Sequence, residues 1–258
     1  MNKEIRKIAG NRIIIEDAAH SLGAEYACGQ PIGSCTYSDM TIFSFHPVKS
    51  ITTGEGGAIV TNNSEFAHRL KTLRTHGIEK MPALIKNSKA AYEKGKLGEW
   101  YYEQQYLGFN YRMTDIQAAL GLSQLKKLNK FIKRRRDYAK YYDAAFQSIK
   151  LLRRPQLGSD FADRSGHHIY IIESDFHKLG KTRQEVITEL KRLYVGTQVH
   201  YIPVYHHPYH ASKLKTKSNV FPVVEKYYKK CLSIPLYPHM TKSDVHHVIR
   251  SINKVLKI

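Results

Sequence analysis

Cysteine is scarce in this chain: Cys28, Cys35 and Cys231 make an odd number with no paired-ligand spacing. That pattern argues against a disulfide framework and against a zinc site, and it suits a reducing compartment. Long apolar runs are missing too. None reaches the roughly 20 residues needed to cross a bilayer, and the N-terminus lacks the apolar core of a secretion signal. The expectation is a soluble, cytoplasmic protein with no membrane insertion. Acidic residues are few, 22 against 41 Lys and Arg, which leaves a formal charge of +19. Such a balance suits anionic partners, from nucleic acid to phosphorylated cofactors. The cations are spread along the chain, however. The one dense run, Lys133-Arg134-Arg135-Arg136, lies in a helical pattern, where a solvated face is the plainer reading. No nucleic-acid-binding signature accompanies it, so nucleic acid is not expected as a partner. Internal repeats and low-complexity tracts are absent as well.

Hydrophobic residues make up 42% of the 258, enough for a packed core. Met1 to Gly10 reads as the end of an amphipathic helix with Ile5 and Ile8 inward, stopped by Gly10. Ile13-Ile14-Ile15 is a continuous apolar strand of the kind covered on both faces. Met40 to Phe45 and Ala58 to Thr61 are further strands, and Phe66, Leu70 and Leu73 recur at helical spacing up to His76-Gly77. Residues 78–108, rich in lysine and tyrosine, read as a long functional loop with a little helix. Thr114 and Gln117 form a capping box. Behind it Ile116, Leu120, Leu125, Leu128 and Ile132 make one stripe, so a single helix is expected to about Ala145. A strand over Ile169 to Ile172, a helix capped by Thr182 and Glu185, a strand around Val199 to Val204 and a last helix from Thr241 follow. The alternation predicts two domains, 1–145 with a mainly parallel sheet and 146–258 as a small α/β domain.

One stretch carries chemistry. Phe43-Ser44-Phe45-His46-Pro47-Val48-Lys49-Ser50-Ile51-Thr52-Thr53-Gly54-Glu55-Gly56-Gly57 sets a lysine between an apolar strand and a glycine-rich turn. A buried lysine there can lose its proton and form a Schiff base with an aldehyde cofactor. Asp17 ends a neighbouring strand, at the sheet edge where open α/β folds bind ligands, and could hold a pyridinium nitrogen. It could equally cap the turn that follows it. Ser44 could donate to a phosphate, and the glycines permit tight turns beside a ligand. The histidines His200, His206, His207 and His210 lack the spacing of a helical zinc pair, and Pro208 interrupts them; no metal site is expected.

The words Ile15-Glu16-Asp17-Ala18-Ala19-His20-Ser21-Leu22-Gly23-Ala24, Ser44-Phe45-His46 with Lys49 and Gly54-Glu55-Gly56-Gly57, Arg74-Thr75-His76-Gly77, and Gly108-Phe109-Asn110-Tyr111-Arg112-Met113-Thr114-Asp115 together resemble the DegT family of sugar aminotransferases. The resemblance runs nearly the whole length. It implies an aspartate aminotransferase-like fold (fold type I), incomplete in its large domain, and pyridoxal 5'-phosphate as cofactor. It implies Lys49 as the catalytic Schiff-base lysine and proton carrier, Asp17 at the pyridine nitrogen, His20 against the ring and Ser44 at the phosphate. Asn110 would reach the cofactor phosphate of the other subunit of a homodimer, with Arg112 close by. The reaction implied moves an amino group from glutamate to the keto carbon of a nucleotide-linked deoxysugar. A dehydratase on the same scaffold would carry histidine where Lys49 stands.

Trp100-Tyr101-Tyr102-Glu103, His200-Tyr201-Ile202-Pro203-Val204 and Leu232-Ser233-Ile234-Pro235-Leu236-Tyr237-Pro238 look like the branch serving pseudaminic acid synthesis, which aminates carbon 4 of a UDP-linked 4-keto-6-deoxy-N-acetylhexosamine. His200 and Tyr201 become expected substrate contacts beside Arg112. The resemblance starts partway into the family pattern. A chain of this extent is expected to hold cofactor weakly by itself. The alternatives are a non-catalytic or regulatory remnant of the family, or one half of a split enzyme with a separate N-terminal half.

Overall fold

The computed structural model describes residues 2–154, 163–214 and 220–257, which form two compact units. The first comprises 1–22 and 30–126, the second 23–29 and 127–258. Met1, the first residue of the expected opening helix, lies outside the described residues.

In the first unit, helix α1 (Asn2–Ala9) leads to strands β1 (Ile15–Asp17), β2 (Met40–Ser44) and β3 (Gly57–Val60), and then to α2 (Ser64–Arg74). β1 and β2 run parallel, β2 and β3 antiparallel, in the order β1-β2-β3. Asp39 fixes the start of this sheet. Its Oδ2 accepts from Ile14 N and from Arg6 Nη2, each at 2.7 Å, and the Arg6 contact holds its carboxyl below the usual range. The apolar run of β1 is not covered on both faces: Ile13 and Ile15 are more than half exposed, as is Ile8 of α1, while Ile5 is 46% exposed. Phe43 and Thr41 are buried on one side of the sheet, but Ile15, Ile42 and Ile59 on the other stay exposed. Residues 78–108 are more ordered than a loop. They carry β4 (Ile78–Glu79), α3 (Ser88–Ala91), β5 (Tyr92–Glu93), β6 (Lys96–Leu97) and β7 (Glu103–Gln104), with β4 pairing β7 and β5 pairing β6. Buried Glu79 anchors this excursion by accepting from Lys80 N, Met81 N and His68 Nε2.

The expected single helix is two: α4 (Asp115–Leu125) closes the first unit and α5 (Leu128–Phe146) opens the second. The stripe changes environment at the break. Ile116 and Leu125 of α4 are exposed, whereas Phe131, Ile132, Tyr138, Tyr142 and Phe146 of α5 are buried at a helical period. The structural division therefore falls at 126/127 and not at 145, because the apolar face of α5 belongs to the core of the second unit.

That core is closed. Strands β8 (Leu152–Arg153) and β9 (Tyr170–Ser174), helices α6 (Arg183–Arg192), α7 (Pro208–Leu214) and α8 (Pro222–Lys230), strand β10 (Cys231–Ile234) and helix α9 (Lys242–Leu256) complete the unit. The antiparallel sheet has the order β10-β9-β8. Tyr142, Tyr170, Leu190, Leu232, Val245 and Ile252 sit in it fully buried, each aliphatic worth about 1.5–3 kcal/mol relative to exposure. Capping boxes at Thr182/Glu185 and Thr241/Asp244 start α6 and α9 as the sequence predicts. The expected strand at Val199 to Val204 does not form. Gln198 alone bridges Ser233, and Pro203, which has no N–H to continue a ladder, precedes a 3-10 turn at Val204–His206. The basic run is solvated only in part, with Lys133 exposed. Arg135 is 3% exposed and donates to the carbonyls of His167, His168 and Leu236, and burial pushes its pKa down to about 10.

Candidate active site

Two carboxylates end β1, and strand alternation sends them to opposite faces. Glu16 turns to Thr41 and Ser38, whose hydroxyls donate to its Oε2 at 3.2 and 3.4 Å. Asp17 pairs in register with Ile42, so it shares the open face of the sheet with Ile42 and, two residues on, Ser44. The turn-capping reading of Asp17 is the one seen directly. Its Oδ1 accepts from Ala19 N at 3.0 Å, the turn-capping role, while its charge also acts on Lys49. His20, three residues on, is half-buried.

Lys49 stands on a loop closed at Phe45. Phe45 N donates to Gly56 O at 2.8 Å, and Phe45 O accepts from Thr53 N and Thr52 Oγ1. Within the loop Lys49 N donates to His46 O, and buried Ser50, Ile51 and Thr53 anchor the returning limb. The loop is thus rigid on both sides of the lysine. Burial pushes the Lys49 amine below the ordinary lysine range, and the nearby Asp17 carboxylate opposes that fall. Gly56 has φ +154°, and a Cβ there would lie 2.4 Å from Thr53 Oγ1. No larger residue fits that turn without moving it.

The segment before α4 is set beside the same turn. Gln117 serves twice: its Oε1 accepts from Thr114 N in the capping box, while its Nε2 donates to Glu55 O at 3.1 Å. The second role has no signal in the sequence. Asn110 and Arg112 are exposed. Asn110 bridges Thr75, with Tyr111 N on Arg74 O and His76 N on Phe109 O, so the Arg74-Thr75-His76-Gly77 word is what holds the Asn110 word in place. Gly77 is required there: its φ is +73°, and a Cβ would fall 1.9 Å from Tyr106 O. The structure therefore brings Asp17, Ser44 and Lys49 together at one end of a sheet and sets the 110–117 segment against the lysine loop. His200 and Tyr201 belong to the second unit.

A family model described as DegT/DnrJ/EryC1/StrS aminotransferase matches residues 3–253. The chain belongs to this aminotransferase family. Over 95% of its length it is 42% identical to the spore coat polysaccharide biosynthesis protein SpsC of Bacillus subtilis. It is 34% identical, again over 95%, to a UDP-4-amino-4,6-dideoxy-N-acetyl-beta-L-altrosamine transaminase of Campylobacter jejuni. Among solved structures, Helicobacter pylori PseC, an aminotransferase of pseudaminic acid biosynthesis, superposes with a TM-score of 0.85 at 28% identity, covering 99% of this chain and 63% of PseC. The mixed α/β fold is that of these sugar aminotransferases. The chain spans 60% of SpsC and 58% of the Campylobacter transaminase.

The side chains at the family's motif positions suit pyridoxal 5'-phosphate chemically. An amine of lowered pKa matches its aldehyde, a carboxylate its ring nitrogen and a hydroxyl its phosphate. No helix among the described residues is long and apolar enough to cross a membrane.

Proposed function

We propose that this chain carries the catalytic side of a pyridoxal phosphate-dependent aminotransferase, moving an amino group from glutamate to the keto carbon of a nucleotide-linked deoxysugar. The observation that carries the reading is Lys49: a half-buried amine of lowered pKa, held on a closed loop beside Asp17 and Ser44. Residues at these positions hold and orient. Asp17, oriented by Ala19 N–H, would accept the ring N–H of the cofactor; Ser44 would hold the phosphate, and His20 would lie against the ring. Bound there, pyridoxal 5'-phosphate supplies an aldehyde carbon and an electron-withdrawing ring. Lys49 Nζ, cheaper to deprotonate than an exposed lysine, serves as nucleophile and then as proton carrier. In one half-reaction it would move a proton from the donor α-carbon to the cofactor carbon, and in the other from the cofactor carbon to the sugar carbon.

The finer reading is carbon 4 of a UDP-linked 4-keto-6-deoxy-N-acetylhexosamine, on the way to a nonulosonic acid or another surface glycan, in the cytoplasm. It rests on the motif words and on the names of the relatives. Arg112, His200 and Tyr201 are the proposed substrate contacts. A homodimer is proposed too. Phe109 and Tyr111 flank Asn110 with exposed stacked rings, and Ile116 and Leu120 expose apolar side chains on one side of α4 to which a second copy could bind.

The test is direct. With pyridoxal 5'-phosphate the purified chain should give a visible absorption band shifted from that of the free cofactor. Borohydride should then fix a covalent adduct that peptide mass spectrometry locates at Lys49. Lys49→Arg should lack the band and all glutamate-dependent amination. Turnover retained by that variant sinks the proposal.

A further inference from the structure

Two sequence words whose first residues stand 32 positions apart, His200-Tyr201-Ile202-Pro203-Val204 and Leu232-Ser233-Ile234-Pro235, are one physical unit in the fold. Gln198 and Ser233 exchange a pair of backbone hydrogen bonds, Gln198 N to Ser233 O at 3.1 Å and Ser233 N to Gln198 O at 2.7 Å. Two residues beyond the bridge, His200 Nδ1 lies 2.7 Å from Ser233 Oγ. Ser233 is 6% exposed on β10, all four residues of which are buried, so this hydroxyl is an immobile partner. Tyr227, on α8, donates its hydroxyl to the backbone carbonyl of His200 at 2.9 Å. Burial pushes that phenol up to about 12, so it remains a donor through the neutral range.

The segment is held again downstream. Tyr205 OH and His206 Nε2 both reach Glu225 Oε1, at 2.9 and 2.6 Å, and the Tyr205 ring stacks on Phe221. Between these anchors Tyr201 stands 58% exposed, its ring 4.5 Å from that of His200 and edge-on to it. A strand would hold such a segment by its ladder. Here no ladder forms beyond Gln198, and side chains of α8 and β10 take over.

We propose that Ser233 and Tyr227 are positioning residues: they fix the His200 ring and the His200 backbone so that the His200–Tyr201 pair is presented in one orientation to the hydroxyl-rich sugar of the substrate. The proposal rests on the aminotransferase reading only for the identity of that ligand; the anchoring itself does not depend on it. Preorganised hydrogen-bonding groups bind better because the cost of ordering them is met in folding. Neither anchor touches the ligand. Each acts through its neighbour, so its effect must vanish once the neighbour's contact is gone.

UDP-N-acetylglucosamine serves as the probe, titrated into the full chain by calorimetry, while the His200 ring resonances are followed by NMR. Tyr201→Phe should weaken binding about fivefold, and Tyr227→Phe and Ser233→Ala by a similar factor. Tyr227→Phe added to the double variant His200→Ala, Tyr201→Phe should weaken binding little further. Ser233→Ala should also shift the His200 ring signals. Binding losses that simply multiply, or anchor variants that bind like the parent while Tyr201→Phe weakens, overturn the proposal. Unmoved His200 signals in Ser233→Ala overturn it as well. Should Ser233→Ala not fold, Tyr227→Phe, which removes one oxygen, decides alone. A parent chain that fails to bind the probe removes the sugar reading and overturns the proposal with it. In that case shifted His200 signals in Ser233→Ala locate the failure in the ligand and not in the anchoring.

Discussion

The two units use apolar residues in opposite ways. In the second, helices α5, α6 and α9 close over the sheet, and Tyr170, Ile172, Leu232 and Ile252 have almost no exposure. In the first, the buried apolar side chains among the described residues are Ala18, Phe43, Ile51 and Ala91, while Ile15, Ile42, Ile59 and, on α4, Ile116, Leu122 and Leu125 are exposed. The second unit is held by its own core. The first is held more by hydrogen bonds at Asp39, Phe45 and Glu79, and it carries Lys49, the amine of lowered pKa. A site needs open polar groups at a sheet end, and rigidity there has to come from closed loops where burial does not supply it.

The comparison can be broken most sharply in the core. Ile252→Ala should destabilise the second unit by about 2–5 kcal/mol, whereas Ile59→Ala in the first should cost less than about 1 kcal/mol. Denaturant unfolding of both variants measures the difference, and equal losses would end the contrast. Arg135→Met comes next. Three carbonyls lose their buried donor, for about 2–3 kcal/mol in the same experiment. Thr241→Ala removes the cap of α9 and should cost about 1 kcal/mol.

Two smaller effects probe the first unit. Ile116→Glu on α4 should change stability by less than about 0.5 kcal/mol while lowering self-association in sedimentation velocity, because an 85% exposed side chain supports no core. Unchanged association would remove α4 from the proposed dimer contact. The smallest effect follows pH. Glu79 has its pKa lowered: burial pushes it up, but the N–H groups of Met81 and Lys80 and the His68 contact outweigh that. With the folded pKa below the unfolded one, the carboxylate adds stability above about pH 4.3, and that contribution is lost as pH falls through the folded value. Glu79→Gln should flatten the acid limb of the stability profile. A profile unchanged from that of the parent would show that Glu79 does not anchor the excursion.

Several features were legible in the residues themselves because local chemistry decides them. The capping boxes at Thr114, Thr182 and Thr241 form as written, and the strand of Met40 to Ser44 follows from its apolar pattern. The words around Asp17, Lys49, Arg74 and Asn110 carried the resemblance to the aminotransferase family to which the chain belongs. What failed was inference about surroundings. Ile5 and Ile8 read as inward and Arg135 as solvated, because periodicity gives the face of an element and not what lies against it.

Only the tertiary structure decided three further matters. It put Asp17 in register with Ile42, on the face that Ser44 shares and near enough for its charge to act on Lys49, since strand register and not sequence distance sets neighbours. It gave Gln117 a second partner in Glu55, across 62 residues that no local pattern connects. It also joined His200 to Ser233, turning two separate words into one anchored element. The sequence by itself determined which groups are available and which helices and turns hold them. Where those groups meet depends on contacts between distant segments, and the burial that lowers the Lys49 pKa exists only once they have folded together.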